Sequence, residues 1–163
     1  PNTHTLFKQH CKLLDHLLSA IWTEAKIHPS CCLIAVGGYG RGEQYPHSDI
    51  DLLILMPEDL ATNAIINQQI EALIGLFWDI GLNIGHSVRT LSECVDEAQK
   101  DVTVQTNLIE SRLLQGNSSL YQEFVHQIKR AIDVPVFFAA KLKEQDNRHA
   151  KFNDTAYNLE PNI

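Results

Sequence analysis

Val36-Gly37-Gly38-Tyr39-Gly40-Arg41-Gly42-Glu43, followed two residues later by Pro46-His47-Ser48-Asp49-Ile50-Asp51-Leu52, sets a glycine-rich turn ahead of two carboxylates spaced two apart. Upstream, residues 31–36 form a short apolar run that ends in glycine, the pattern of a buried strand. Downstream, residues 50–56 form a second such run. Side chains at i and i+2 of a strand share a face. Asp49 and Asp51 therefore project together, roughly 7 Å apart at their bases by strand rise, while Ile50 and Leu52 turn to the core.

Two acids on one face repel each other unless a cation lies between them. A hard divalent ion is commonly held by one or two carboxylates, with phosphates and water completing its shell. Magnesium is the expected ligand of Asp49 and Asp51, with manganese as its substitute. Gly37 and Gly38 carry no Cβ, so their backbone can approach a triphosphate and offer N–H groups to it. Arg41 and Ser48 add side-chain donors for phosphate oxygens. Asp-x-Asp alone occurs in many surface turns, and Gly-Gly alone marks a tight turn. The ordered combination of strand, Gly-Gly, Ser-Asp-x-Asp and strand is far more specific. It is also distinct from the Gly-x-x-x-x-Gly-Lys-[Ser/Thr] and Gly-x-Gly-x-x-Gly loops, neither of which this turn fits.

These residues resemble the nucleotidyltransferase superfamily that includes DNA polymerase beta, whose signature is an apolar residue, Gly-[Gly/Ser], then Asp-x-Asp on the next strand. A longer match is to the PII uridylyltransferase/uridylyl-removing family. It is carried by residues 37–43 and 46–53, by Gly85-His86-Ser87-Val88-Arg89-Thr90, by Glu110-Ser111-Arg112-Leu113-Leu114-x-Gly116, and by Asn158-Leu159-Glu160-Pro161-Asn162-Ile163. The resemblance implies a transferase that moves UMP from UTP to a tyrosine of the signal protein PII. Asp49 and Asp51 would bind the metal, and Gly37 and Gly38 the phosphates. The superfamily usually adds a third carboxylate from a neighbouring strand, and residues 82–88 carry none. His86 reads either as a site residue or as a hydrogen-bonded structural one. Glu110, Glu160 and Asp101 are the other candidates. Family members continue into an HD hydrolase and two ACT domains. There is no His-Asp dipeptide here, and the chain ends at Ile163 as an extended segment begins. It reads as a piece of a longer protein, expected to lack deuridylylation and glutamine sensing and to be weak or inactive in transfer when isolated.

The 163 residues and 44% apolar content suit one globular core. A net charge of −7 argues against a nucleic-acid partner, which requires a basic surface. Four cysteines with no CxxC pair suit a reducing cytoplasm rather than a disulfide framework. No apolar run approaches the ~18 residues of a membrane span, and no signal-peptide pattern opens the chain.

Leu6, Leu13, Leu14, Leu17, Leu18 and Ile21 recur at helical spacing and predict a helix before the first strand. Ile65, Ile66, Ile70, Leu73, Ile74, Phe77 and Trp78 predict a second, ended by Gly81. Thr90-Leu91-Ser92-Glu93 has capping-box spacing and starts a helix through Ala98. Residues 103–115 read as another helix stopped by Gly116, residues 119–132 as the next, and a last one follows Asp133. Lys141, Lys143, Arg148, His149 and Lys151 form a basic stripe near the end, either a solvated face or one that meets the triphosphate or an acidic edge of a partner.

The expected fold is α/β (α+β): a small mixed β-sheet nucleotidyltransferase core flanked by helices, with a mostly helical C-terminal half. Its expected divisions are an N-terminal helix (1–28), the core (29–116) and a helical extension (117–163). UTP and magnesium are the expected ligands and PII the expected partner, with no nucleic acid and no membrane. A related transferase with another acceptor, or a nucleotide-binding sensor that no longer catalyses, are the alternatives.

Overall fold

The computed structural model describes residues 3–42, 49–81 and 83–132. Its elements run α1 (Thr3–Glu24), β1 (Cys32–Val36), α2 (Gly37–Gly40), β2 (Ile50–Met56), a 3-10 turn (Glu58–Leu60), α3 (Ala64–Asp79), β3 (Ile84–Thr90), α4 (Leu91–Lys100), α5 (Val102–Ile109), β4 (Arg112–Gly116) and α6 (Ser118–Ala131). The four strands form one sheet in the order β3-β2-β1-β4. β1 is antiparallel to β2 and β4, whereas β2 and β3 are parallel and joined through α3. The mixed sheet with flanking helices is the fold expected from the sequence. The chain divides into two compact units, Pro1–Ala131 and Ile132–Ile163, and every element named here belongs to the first.

β1 and β2 are central strands covered on both faces, which is why they read as continuous apolar runs. Leu33 and Ala35 of β1 lie with Ile50, Leu52, Ile54 and Met56 of β2 in a core that includes Leu14, Leu18 and Trp22 of α1 and Ile66, Ile70, Leu73 and Phe77 of α3. The alternate residues Cys32, Ile34, Leu53 and Leu55 are buried on the other face, as are Cys94 and Ala98 of α4, Leu108 of α5, and Phe124 and Ile128 of α6. Burial drives the thiol of Cys31 up to about 11 and those of Cys32 and Cys94 to about 12.

Helix α1 departs from its expected stripe. Leu14 and Leu18 are buried, but Leu6, Leu13 and Leu17 face solvent, and the inward face is completed by Cys11 and Trp22. Helix α3 starts at Asn63, whose side chain accepts from Ile65 N–H at 3.0 Å and Ile66 N–H at 3.1 Å. It ends before Gly81, at φ +73°. The capping box at Thr90 is formed, with Thr90 and Glu93 exchanging bonds at the start of α4.

The helix expected over 103–115 is corrected. The helix stops at Ile109, Glu110 leaves helical geometry at φ −88° and ψ 55°, and Arg112–Gly116 becomes a strand on the free edge of β1. A central strand needs hydrogen-bond partners on both sides, and this pairing outweighs the local helical pattern. The third strand is also displaced: expected from residue 82 to 88, it runs from Ile84 to Thr90.

Candidate active site

The site lies at the end of the sheet where β1 leaves and β2 enters. Gly37 follows β1 at φ +62°, a conformation glycine adopts without a Cβ clash, and this turns the chain into the single turn of α2. Across from it, Asp51 is the one exposed residue of β2. Its register partners are Val36 on β1 and Gly85 on β3.

A Cβ built on Gly37 would lie 3.3 Å from Asp51 Oδ2, and one on Gly85 only 3.0 Å from Oδ1. The carboxylate is thus seated between two glycines, in space that side chains at either position would invade. Burial, and then the neighbouring charge of Asp49, hold the Asp51 carboxyl above the usual carboxylate range. Asp49 is exposed just before the strand. A pair of acids under mutual strain, with hard oxygen donors and an open side, fits a divalent cation that takes its remaining ligands from phosphate and water. Among the described residues, no group of three or more His, Cys, Asp or Glu gathers as a metal site.

One neighbour was not among the sequence candidates. The amide oxygen of Asn107, on α5, lies 3.6 Å from the Gly37 Cβ position, facing the same turn as Asp51. A polar residue of low helix propensity, placed between Thr106 and Leu108, was the available signal.

Arg41 and Glu110 are brought together as an ion pair, beside the close approach of Gly40 to the end of α5. A Cβ on Gly40 would lie 1.9 Å from the Glu110 carbonyl oxygen, so only glycine fits. Beneath the turn, the Tyr39 hydroxyl donates to Asp15 of α1, and Arg112 of β4 also pairs with Asp15. Arg112 Nη2 donates to the Tyr39 carbonyl at 2.9 Å, and its guanidinium stacks 5.1 Å from the Tyr39 ring centroid. Burial, followed by the bond to Asp15, pushes the Tyr39 phenol well above its usual range.

His86 is not brought to the carboxylates. It pairs with Leu52, whose side chain lies in the core with α1 and α3, and strand alternation puts it on the face opposite Asp51. Asp101 caps α5, accepting from Thr103 N–H at 2.8 Å. Ser48, Glu160 and the basic stripe from Lys141 to Lys151 lie outside the described residues. An open cleft of about 500 Å³ adjoins the carboxylates, lined by Asp49, Trp78, Asn83, Ile84 and Gly85.

The glycine turn and the seated carboxylate stand side by side, as the nucleotidyltransferase resemblance implies. The family model described as Nucleotidyltransferase domain matches residues 18–109, more than half of the chain, and the chain belongs to that family. A second model, described as GlnD PII-uridylyltransferase, matches residues 136–163. The chain is 48% identical over 162 residues to the bifunctional uridylyltransferase/uridylyl-removing enzyme of Aromatoleum aromaticum, and 46% identical over 162 residues to that of Burkholderia orbicola. Each match covers 99% of this chain and 19% of the relative, so the chain spans about a fifth of the length of these proteins. A solved structure described as a toxin-antitoxin with AMP-PNP aligns over 85% of this chain and 98% of that one, at TM-score 0.39 and 18% identity, too distant for a functional comparison. No helix among the described residues is long and apolar enough to cross a membrane.

Proposed function

We propose that this chain is the uridylyl-transferring domain of a PII uridylyltransferase, moving UMP from UTP to a tyrosine of PII with release of pyrophosphate. The observation that carries this reading is the Asp51 carboxylate held between Gly37 and Gly85 with Asp49 beside it. The uridylyltransferase names of the relatives and of the model matching residues 136–163 support the choice of UTP and PII. Four free cysteines, all buried, suit a cytoplasmic setting.

Asp49 and Asp51 would hold magnesium. When bound, it supplies Lewis-acid polarisation of the α-phosphate and neutralises charge on the departing pyrophosphate. Gly37 and Gly38, at the start of α2, would offer backbone N–H groups to the phosphates. Arg41, steadied by Glu110 at the end of α5, places a cation beside the same turn. Proximity and fixed charge do most of the work in phosphoryl and nucleotidyl transfer, which suits a site built of backbone and two carboxylates.

Calorimetry of this chain with UTP, ATP and CTP, each with and without magnesium, tests the reading. Magnesium-dependent binding that prefers UTP, and is lost in Asp49→Asn and Asp51→Asn, is the expected result. Binding that ignores magnesium, or survives both substitutions, would overturn it.

A further inference from the structure

We infer that the cleft beside Trp78 and Asn83 is the entrance for the acceptor protein, receiving the loop that presents its phenolic hydroxyl. The inference rests on the uridylyl-transfer reading and specifies where its second substrate docks.

Asp51 has two flanks. Its Oδ2 faces Gly37 and its Oδ1 faces Gly85. The Gly37 flank carries the glycine turn, and Arg41 follows on the same short segment, so the donor's phosphates belong there. In nucleotidyl transfer the attacking and leaving oxygens lie roughly in line on opposite sides of phosphorus. With the leaving pyrophosphate toward Gly37, the nucleophile has to arrive from the Gly85 flank. That flank opens into the cleft lined by Asp49, Trp78, Asn83, Ile84 and Gly85.

The lining selects the occupant. Among the described residues the lining contains no cation and its ionisable group is the Asp49 carboxylate, a charge that disfavours a polyanionic triphosphate. It offers instead an indole that is 71% exposed in the last turn of α3, and a neutral carboxamide at Asn83. An aromatic anchor with a polar neighbour suits a tyrosine on a peptide loop. In the step itself, the phenolic oxygen bonds to the α-phosphorus of UTP. The bond from that phosphorus to the bridging oxygen breaks, pyrophosphate leaves with the electron pair, and the phenolic proton passes to water, to which the cleft is open.

Tryptophan fluorescence provides the test, because Trp78 is exposed while the second tryptophan, Trp22, is 6% exposed. Acrylamide quenching of this chain therefore reports mainly on Trp78, with Trp78→Phe as the control for the residual Trp22 signal. Purified PII should protect Trp78 from quenching, and PII with its acceptor tyrosine changed to alanine should protect on the order of tenfold less tightly. Magnesium-UTP should leave the quenching unchanged. Protection by magnesium-UTP but not PII would make the cleft a nucleobase site, and protection by neither would remove the acceptor from it; both overturn the inference. A parallel assay of UMP transfer separates this from the functional reading. Transfer without protection sinks the docking site alone, whereas protection without transfer keeps the docking site and leaves the functional reading to the calorimetry, which decides it without turnover.

Discussion

Asp51 is the exposed residue of a strand otherwise buried on both faces, and burial with the adjacent Asp49 charge raises its carboxyl pKa above the usual carboxylate range. A carboxyl whose folded pKa is raised binds its proton more tightly in the folded chain than in the unfolded one. Stability therefore falls as pH climbs from 3.8 through the raised value, and stays lower above it. At neutral pH the ionised residue works against the fold until a cation neutralises it. Asp51→Asn is expected to raise the melting temperature in EDTA at pH 7 and to lose the further rise that magnesium gives the parent chain. Thermal melts with and without magnesium check both halves, and an undiminished magnesium effect in the variant would remove Asp51 from the metal site. Strand alternation predicts the two acids on one face, and the charge of Asp49, just before the strand, does act on Asp51. The two glycines that seat Asp51 were legible only in part: Gly37 announces itself in the motif, while Gly85 matters through its parallel pairing with Asp51, far away in the chain.

Strand β4 is the element that local pattern concealed. Val102, Ile109 and Leu113 continue a helical rhythm, and no glycine or proline marks the break at Glu110 and Ser111. What makes these residues a strand is the free edge of β1, a demand from the far side of the chain. Gly116, which reads as a helix stop, serves another purpose. At φ +110° it lets the strand end pass over β1, where a Cβ would lie 2.3 Å from the Cys31 carbonyl oxygen. The start of α4 was legible because its signal is contained in four consecutive residues. There Thr90 caps, Glu93 answers, and Glu58 accepts from Ser92 N–H at 2.8 Å. Thr90→Ala is expected to cost about 1 kcal/mol of stability, read as a lower urea midpoint with an unchanged slope. A change well under half that size would mean that the Glu58 and Glu93 carboxylates cap the helix without it.

On the scale of the whole molecule, the sheet carries α1 and α3 on one face and α4, α5 and α6 on the other, and the two carboxylates stand at its end between the layers. The match to the Nucleotidyltransferase domain model begins at residue 18, whereas α1 begins at Thr3. Asp15 falls in the difference. It is the anchor that Tyr39, within the glycine turn, and Arg112, on β4, both hold. Asp15→Ala leaves a guanidinium and a phenol without that partner and is expected to cost roughly 1–3 kcal/mol, measured by urea denaturation. An unaltered midpoint would show that the turn is held by Gly40 and the sheet alone. The practical consequence concerns where this domain can be cut. A piece trimmed to residues 18–109 would keep Gly37, Asp49, Asp51 and Gly85, yet lose Asp15, the peg that pins the turn from below, together with Glu110 and β4. The edges of that family match therefore fall inside the domain's mechanical footing.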